Sequence, residues 1–236
     1  MKGFSVKILF VMAAVMLFSS LDADAKKRVL KISVVPSDAQ ISVDGNYVGD
    51  GVVEVTLDKS DFIAIKLEKE GYLTQENKFY RSDKRNAISY TMRPDKFWEA
   101  SVPSGLVNKF FSVKVSPDYY TKDENGKIDP DRAWKLIHQI LLNYFDEMQT
   151  TDLSSGFIQT PWEYERFSES RQAVRTRVTV KQSGISEDEL IFQIKISSEE
   201  APLVGMSNES SYREVVRILK KFEPLISEFQ SRMSKN

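Results

Sequence analysis

The sequence predicts two domains in series, a small β-sandwich followed by an α+β sandwich. Three observations carry that prediction. Apolar residues from Val29 to Met92 mostly alternate, which is the period of half-buried strands. Near residue 95 the pattern becomes mixed, with two stripes at helical spacing among further alternating runs. The composition is globular: of 236 residues, 41% are hydrophobic and 28% charged, with only 10 Gly and 8 Pro, too apolar for disorder and too poor in Gly and Pro for a fibrous chain.

In the first half, Leu30, Ile32 and Val34 form one alternating set, and Ile41 and Val43 a second. Val53, Val55 and Leu57 form a third, and Ile63, Ile65 and Leu67 a fourth. Phe79 and the run Ile88 to Met92 suggest two more. Turn signals separate them: Pro36-Ser37-Asp38, Asp44-Gly45-Asn46, Gly49-Asp50-Gly51, Glu70-Gly71 and Arg85-Asn86. Six short strands with no helical run between them read as a β-sandwich spanning residues 26–95.

Several of these residues stand in a recognisable order. Pro36-Ser37-Asp38-Ala39 is followed by Ile41, Val43, Asp44-Gly45, Val48-Gly49 and later Lys69-Glu70-Gly71-Tyr72. This segment resembles the PEGA domain, a family named for a Pro-Glu-Gly-Ala motif. Pro36 and Ala39 match that motif, while Ser37 and Asp38 replace Glu and Gly. Asp50-Gly51 stands where the family often has Thr-Pro. The spacing of Pro36, Gly45, Gly49 and Gly71 is kept. The resemblance implies an exported β-sandwich without catalytic residues, often an accessory in surface-associated proteins.

From residue 96 to 236 the expected order is β-α-β-β-β-α, with two helices lying on one antiparallel sheet. Phe111, Val113 and Val115 alternate as a strand. Asp129-Pro130 reads as an N-cap and first helical residue, and Ala133, Trp134, Ile137, Ile140, Leu141, Tyr144 and Phe145 follow at helical spacing. Met148 to Thr160 reads as one strand around Ser154-Ser155-Gly156. Val174, Val178 and Val180 mark the next strand, joined by a hairpin at Ser183-Gly184 to Leu190, Phe192, Ile194 and Ile196. Tyr212, Val215, Val216, Leu219, Phe222, Ile226, Phe229 and Met233 predict a long helix that Pro224 kinks. This order of elements resembles the helix-grip and TATA-binding-protein-like modules of bacterial envelope proteins, including a lipoprotein of the outer-membrane assembly machinery. It is a likeness of architecture and carries no function.

Residues 1–25 read as a secretory leader. Lys2 and Lys7 precede an unbroken apolar run from Ile8 to Phe18, too short for a span of about 20 residues. Ala23-Asp24-Ala25 then supplies a cleavage site, so the mature chain begins at Lys26 and is exported without a membrane span. Absence of Cys excludes disulfides, thiolate chemistry and a lipoprotein anchor. A single His argues against a His-rich metal site. Lys+Arg 33 against Asp+Glu 34 gives a net charge of −1, which argues against a nucleic-acid partner. No cofactor is expected.

Four clusters hold candidate chemistry. Asp123-Glu124-Asn125-Gly126-Lys127-Ile128-Asp129 is similar to a calcium loop around Gly126, but Arg132 falls where the bidentate carboxylate is needed. It reads instead as a polar turn, and no metal site is expected. His138 lies at the edge of a helical apolar stripe, without a second His or Cys. Trp162, Tyr164 and Phe167 interleave with Glu163, Glu165 and nearby Glu169, a composition suited to closing the core or to contacting a protein or glycan. Arg171, Arg175, Arg177 and Lys181 form a basic strand face that Glu165 and Glu169 could neutralise across a hairpin.

The expected function is therefore a non-catalytic, exported envelope protein, periplasmic or surface-associated, that binds a protein or glycan partner. Trp162, Tyr164, Phe167, Arg175 and Arg177 are its candidate binding residues. Two alternatives stand beside this reading: a carrier of a hydrophobic small molecule between helix and sheet, and a hydrolase using the carboxylates around Glu163 and Glu165.

Overall fold

The computed structural model of the protein describes residues 28–58, 60–185 and 189–234. The expected leader and its cleavage site lie outside the described residues. The chain divides after Arg93 into two compact units.

The first unit is a β-sandwich of seven strands: β1 (Arg28–Val35), β2 (Gln40–Val43), β3 (Asn46–Asp50), β4 (Val52–Leu57), β5 (Phe62–Glu68), β6 (Gln75–Tyr80) and β7 (Ala87–Thr91). One sheet runs β3-β2-β5-β6 and the other β4-β1-β7, with β1 and β7 parallel. Leu30, Ile32 and Val34 point inward with Ile41, Val43, Ile63, Ile65, Leu67 and Phe79, so the period-2 pattern marks the core face. Strand β3 was not among the six expected, because Tyr47 and Val48 are exposed and leave no inward-facing apolar mark. Its turn was legible. Asp44 and Gly45 both have positive φ, 49° and 81°, as a two-residue hairpin turn requires. Gly71 has φ 81°, and Tyr72 after it packs against the core.

The second unit is α+β. It contains α1 (Lys96–Ala100), β8 (Ser101–Pro103), β9 (Phe110–Lys114), β10 (Thr121–Lys122), β11 (Ile128–Asp129), α2 (Asp131–Leu142), β12 (Thr150–Asp152), β13 (Phe157–Gln159) and β14 (Glu163–Phe167). The long strands β15 (Gln172–Ile185) and β16 (Leu190–Pro202) follow, then β17 (Arg213–Glu214), β18 (Arg217–Leu219) and α3 (Glu223–Met233). A seven-stranded antiparallel sheet is built around the β15–β16 hairpin. Each long strand takes two short partners on its free side: β13 and β14 share β15, while β9 and β17 share β16.

The two gaps between those short partners are closed by side chains. Thr160 donates its backbone N–H to the Val178 carbonyl, and its hydroxyl accepts from the Val178 N–H at 3.0 Å. Asn108, at φ 61°, accepts from the Ser198 N–H at 2.8 Å and donates to the Ser198 and Val215 carbonyls. Buried backbone groups that a broken strand would strand unpaired are thus satisfied.

One face of the sheet, with Val174, Val178, Val180, Phe192, Ile194 and Ile196, meets α2 and α3. The Trp134 and Phe192 rings meet edge to face at 4.6 Å, and Phe145 stacks on Phe222 at 5.2 Å. These ring pairs pack between the sheet and the helices.

Three local expectations are corrected. The region from Met148 to Thr160 is not one strand but a hairpin, β12 and β13. Asp152 Oδ1 accepts from the Ser154 and Ser155 N–H groups, and Gly156 takes φ 69° to complete the turn. The final helix does not begin at Tyr212. Residues 213–222 form β17, β18 and a 3-10 turn, and α3 starts at Glu223. Pro224 therefore lies in the first helical turn, where its missing N–H costs nothing, and it marks a start rather than a kink. Asp129 does assist the start of α2, accepting from the Asp131 N–H at 3.1 Å, although Pro130 occupies the cap position itself.

Candidate binding face on the outer side of the sheet

Strand alternation sorts the side chains around β15. Residues opposite one another in register are Tyr164, Arg175 and Glu199, then Arg177 and Ser197, Thr179 and Lys195, and Lys181 and Gln193. All share the face turned away from the helices. Trp162 joins them because the Thr160-Pro161 step carries the chain from β13 to β14 just beside Arg177. The Trp162 ring centroid lies 4.2 Å from the guanidinium carbons of both Arg175 and Arg177. The Tyr212 ring lies 3.7 Å from Arg175. Tyr164 meets Tyr212 edge to face at 6.5 Å. The result is a run of alternating cations and aromatic rings, Arg177, Trp162, Arg175 and Tyr212.

Arg175 is only 4% exposed. Its Nε and one Nη donate to Glu199 Oε2 at 2.9 and 2.7 Å, and the other Nη donates to Glu209 Oε1 at 2.8 Å. Burial works against its charge, but the bonds with Glu209, Glu199 and Tyr164 outweigh it, so the guanidinium is more basic than an ordinary arginine. The same contact holds Glu209 below the usual carboxylate value. Burial pushes the Tyr212 phenol up, and its hydroxyl donates to the Met206 carbonyl at 3.0 Å. Arg175 therefore ties the 203–212 excursion to the sheet.

Arg177 differs. It has no hydrogen bond to a carboxylate among the described residues, and its Nε is enclosed without an acceptor. Lys181 lies 4.2 Å from the Phe110 ring on β9. Lys195 reaches Glu214 at 3.3 Å.

Four of the five candidate residues, Trp162, Tyr164, Arg175 and Arg177, come together here. Phe167 does not. The alternation that exposes Tyr164 turns Phe167 inward, where its ring meets Phe97 at 5.5 Å. The expected pairing of Glu165 with the arginines is also corrected. Glu165 lies opposite Val174, one residue out of phase with Arg175, and bonds Lys221 at 2.8 Å instead. Glu163 meets the same lysine at 3.6 Å, so one cation serves both carboxylates. Glu199, Glu209 and Tyr212 were not foreseen. The hairpin turn expected at Ser183-Gly184 is corrected: β15 runs through those residues to Ile185, with a bulge between Gln182 and Gly184, and that longer register is what sets Glu199 opposite Arg175. Nothing local marks Glu209, which arrives from a loop.

The remaining clusters have local roles. Asp123 Oδ1 accepts from the Asn125 and Lys127 N–H groups and so closes the β10–β11 hairpin. His138 Nδ1 lies 3.3 Å from the Trp134 carbonyl, one turn back along α2. No group of three or more His, Asp or Glu residues that could hold a metal occurs among the described residues. In the first unit an open polar depression of about 390 Å³ is lined by Asp38, Gln40, Glu68, Lys69, Glu70 and Thr74, with Lys69 paired to Asp38. No helix of the described residues is long and apolar enough to cross a membrane.

Comparison with curated proteins and with solved structures returns no match. A family model described as PEGA domain matches residues 28–95, the span that holds Pro36, Ala39, Gly45, Gly49 and Gly71, and the amino-terminal unit of this chain is accordingly a PEGA domain.

Proposed function

We propose that the chain is a non-catalytic, exported envelope protein whose second unit binds a protein or glycan partner through the outer face of its sheet. The observation that carries this reading is the Arg177–Trp162–Arg175–Tyr212 run: rigid, partly exposed, and set on a face that the helices leave open. Aromatic rings and arginines held in fixed geometry lose little freedom when a partner docks, and both residue types dominate binding energy at interfaces. The PEGA match supports an extracellular binding module, and the leader pattern of residues 1–25 supports export. Glu163 and Glu165, both neutralised by Lys221 on the strand edge, support a structural role for those carboxylates.

The test is capture of envelope proteins and glycans by the full chain, compared with a variant carrying Tyr164→Ala and Arg177→Glu. The partner should be retained by the wild type and lost by the variant at equal melting temperature. Equal capture by both would place the binding surface elsewhere and end this reading.

A further inference from the structure

The outer face of the sheet has a second feature beside the saturated Arg175 network. Thr179 and Ser197 are buried at its floor, beneath the longer side chains of Arg177, Lys181 and Lys195. The two rings that touch these cations hold them in place: Trp162 supports Arg177 and Phe110 supports Lys181, each at 4.2 Å. Neither Arg177 nor Lys181 has an ion-pair partner among the described residues, and Lys195 has only the long contact to Glu214. Glu199 on β16 and Glu209 in the 203–212 excursion both bond Arg175, and Arg177 acts on Glu209 only as a more distant charge. Gln159 and Gln193 flank the strip, Gln159 donating to the Thr179 hydroxyl at 3.0 Å.

We propose that this strip is a site for an acidic polysaccharide, a sugar chain bearing carboxylates, with Arg177 as the principal carboxylate contact and Lys181 as the second. The inference rests on the outer face being the binding face proposed above, and it names the chemistry of the partner. The argument is one of complementarity. A guanidinium presents a planar fork that suits a carboxylate. Stacking against a ring fixes the side chain before the ligand arrives. Arg177 and Lys181 point the same way four residues apart, so their Cα atoms lie about 14 Å from each other along the strand. That separation calls for a ligand with repeated charges rather than a single anion. Between them lie hydroxyl and amide groups, which match sugar hydroxyls, and not the apolar centre that a protein interface favours.

The experiment is affinity electrophoresis of the full chain in gels containing polygalacturonate, dextran or neither, with oligo-dT binding measured in parallel. Polygalacturonate should retard the protein and dextran should not, and added salt should weaken the retardation. Arg177→Gln should weaken retardation at least fivefold with an unchanged melting temperature, and Arg177→Lys should fall between. Equal retardation by dextran overturns the acidic requirement while leaving a glycan-binding face in place. Tighter binding of oligo-dT than of polygalacturonate overturns it in favour of a phosphate polymer. If no polysaccharide retards the chain while an envelope protein is captured through Tyr164 and Arg177, the ligand class is wrong and the binding face stands. If retardation by polygalacturonate survives Arg177→Gln unchanged, the assigned residue is wrong and the proposal falls.

Discussion

The guanidinium of Arg175, on β15, lies 3.7 Å from the ring of Tyr212, the residue that ends the 203–212 excursion after β16. Stacking supplies one part of that link and the Glu209 bridge supplies the other, so a nearly buried cation organises a segment that has little regular structure of its own. Arg175→Ala would leave Glu199 without its partner and remove the support under Tyr212. Breaking a buried pair from one side costs about 3 kcal/mol or more, and the second unit should lose that much in a urea melt. Arg175→Lys should recover only part of the loss, because an ammonium cannot serve two carboxylates and lie flat against two rings. Tyr212→Phe keeps the ring and should cost about 1 kcal/mol, the value of its hydrogen bond to Met206.

Two glycines of the PEGA domain separate backbone strain from steric conflict. Gly45 has φ 81° and open space where a Cβ would point, whereas Gly51 has φ 65° and would place a Cβ 2.0 Å from the Ser37 carbonyl oxygen. Gly45→Ala should cost about 1–2 kcal/mol, the penalty of a left-handed residue. Gly51→Ala should cost clearly more, since the Pro36–Ala39 turn must move to admit the methyl group. Chemical denaturation of the two variants checks the order. A Gly51→Ala protein as stable as Gly45→Ala would show that the turn yields freely.

How far the sequence was legible depends on whether a residue's surroundings are local. The sandwich core could be read because Leu30, Ile32 and Val34 alternate on one strand, and the Asp44-Gly45 turn because few residues accept its dihedrals. The two strands β15 and β16 could be read from their alternation, but their turn could not: Ser183-Gly184 carries turn residues and yet lies at a bulge inside β15. The segment from Tyr212 to Phe222 was misread because apolar spacing there fits a helix as well as a strand followed by a tight turn. The deciding contacts are distant: Arg217–Leu219 pairs with Ser101–Pro103, and the Arg217 guanidinium lies 3.5 Å from the Trp98 ring. The candidate site divides in the same way. Trp162, Tyr164, Arg175 and Arg177 carried a local density of aromatic and basic residues. Glu209 and Tyr212 reach the site only through tertiary structure.

Tyr144 gives a spectroscopic reading of helix packing. Its hydroxyl donates to Glu228 Oε1 at 2.7 Å, linking the end of α2 to α3. Burial first, and then the bond to Glu228, push its phenol up to about 12. Because the folded value lies above the unfolded one, near 10, the stabilisation is fully present below pH 10 and is lost as pH rises through about 12. Ultraviolet titration should show one tyrosine ionising well after the exposed ones, and Glu228→Gln should advance it. If every tyrosine ionises near pH 10 while the protein stays folded, the α2–α3 contact is not as described.

Helix α3 is the last test of the second unit. Leu225, Phe229 and Met233 are fully buried, and the Met233 carbonyl accepts from the Ser116 N–H at 2.8 Å. Each such side chain contributes roughly 1.5–3 kcal/mol of burial, a large share of a domain's usual net stability of about 5–15 kcal/mol. Because Pro224 lies in the first turn of the helix, residues 224–233 form one packed turn-by-turn unit rather than a tail beyond a kink. Deleting residues 224–236 should unfold the second unit or lower its melting temperature by about 10 degrees or more, at about 2–4 °C per kcal/mol for a domain of this size. Phe229→Ala alone should cost about 3–5 kcal/mol, since the surrounding side chains close only partly over the space. A truncated protein that melts like the full chain yet loses its partner would make α3 an interaction helix, and its apolar stripe would then belong to the binding surface instead of the core.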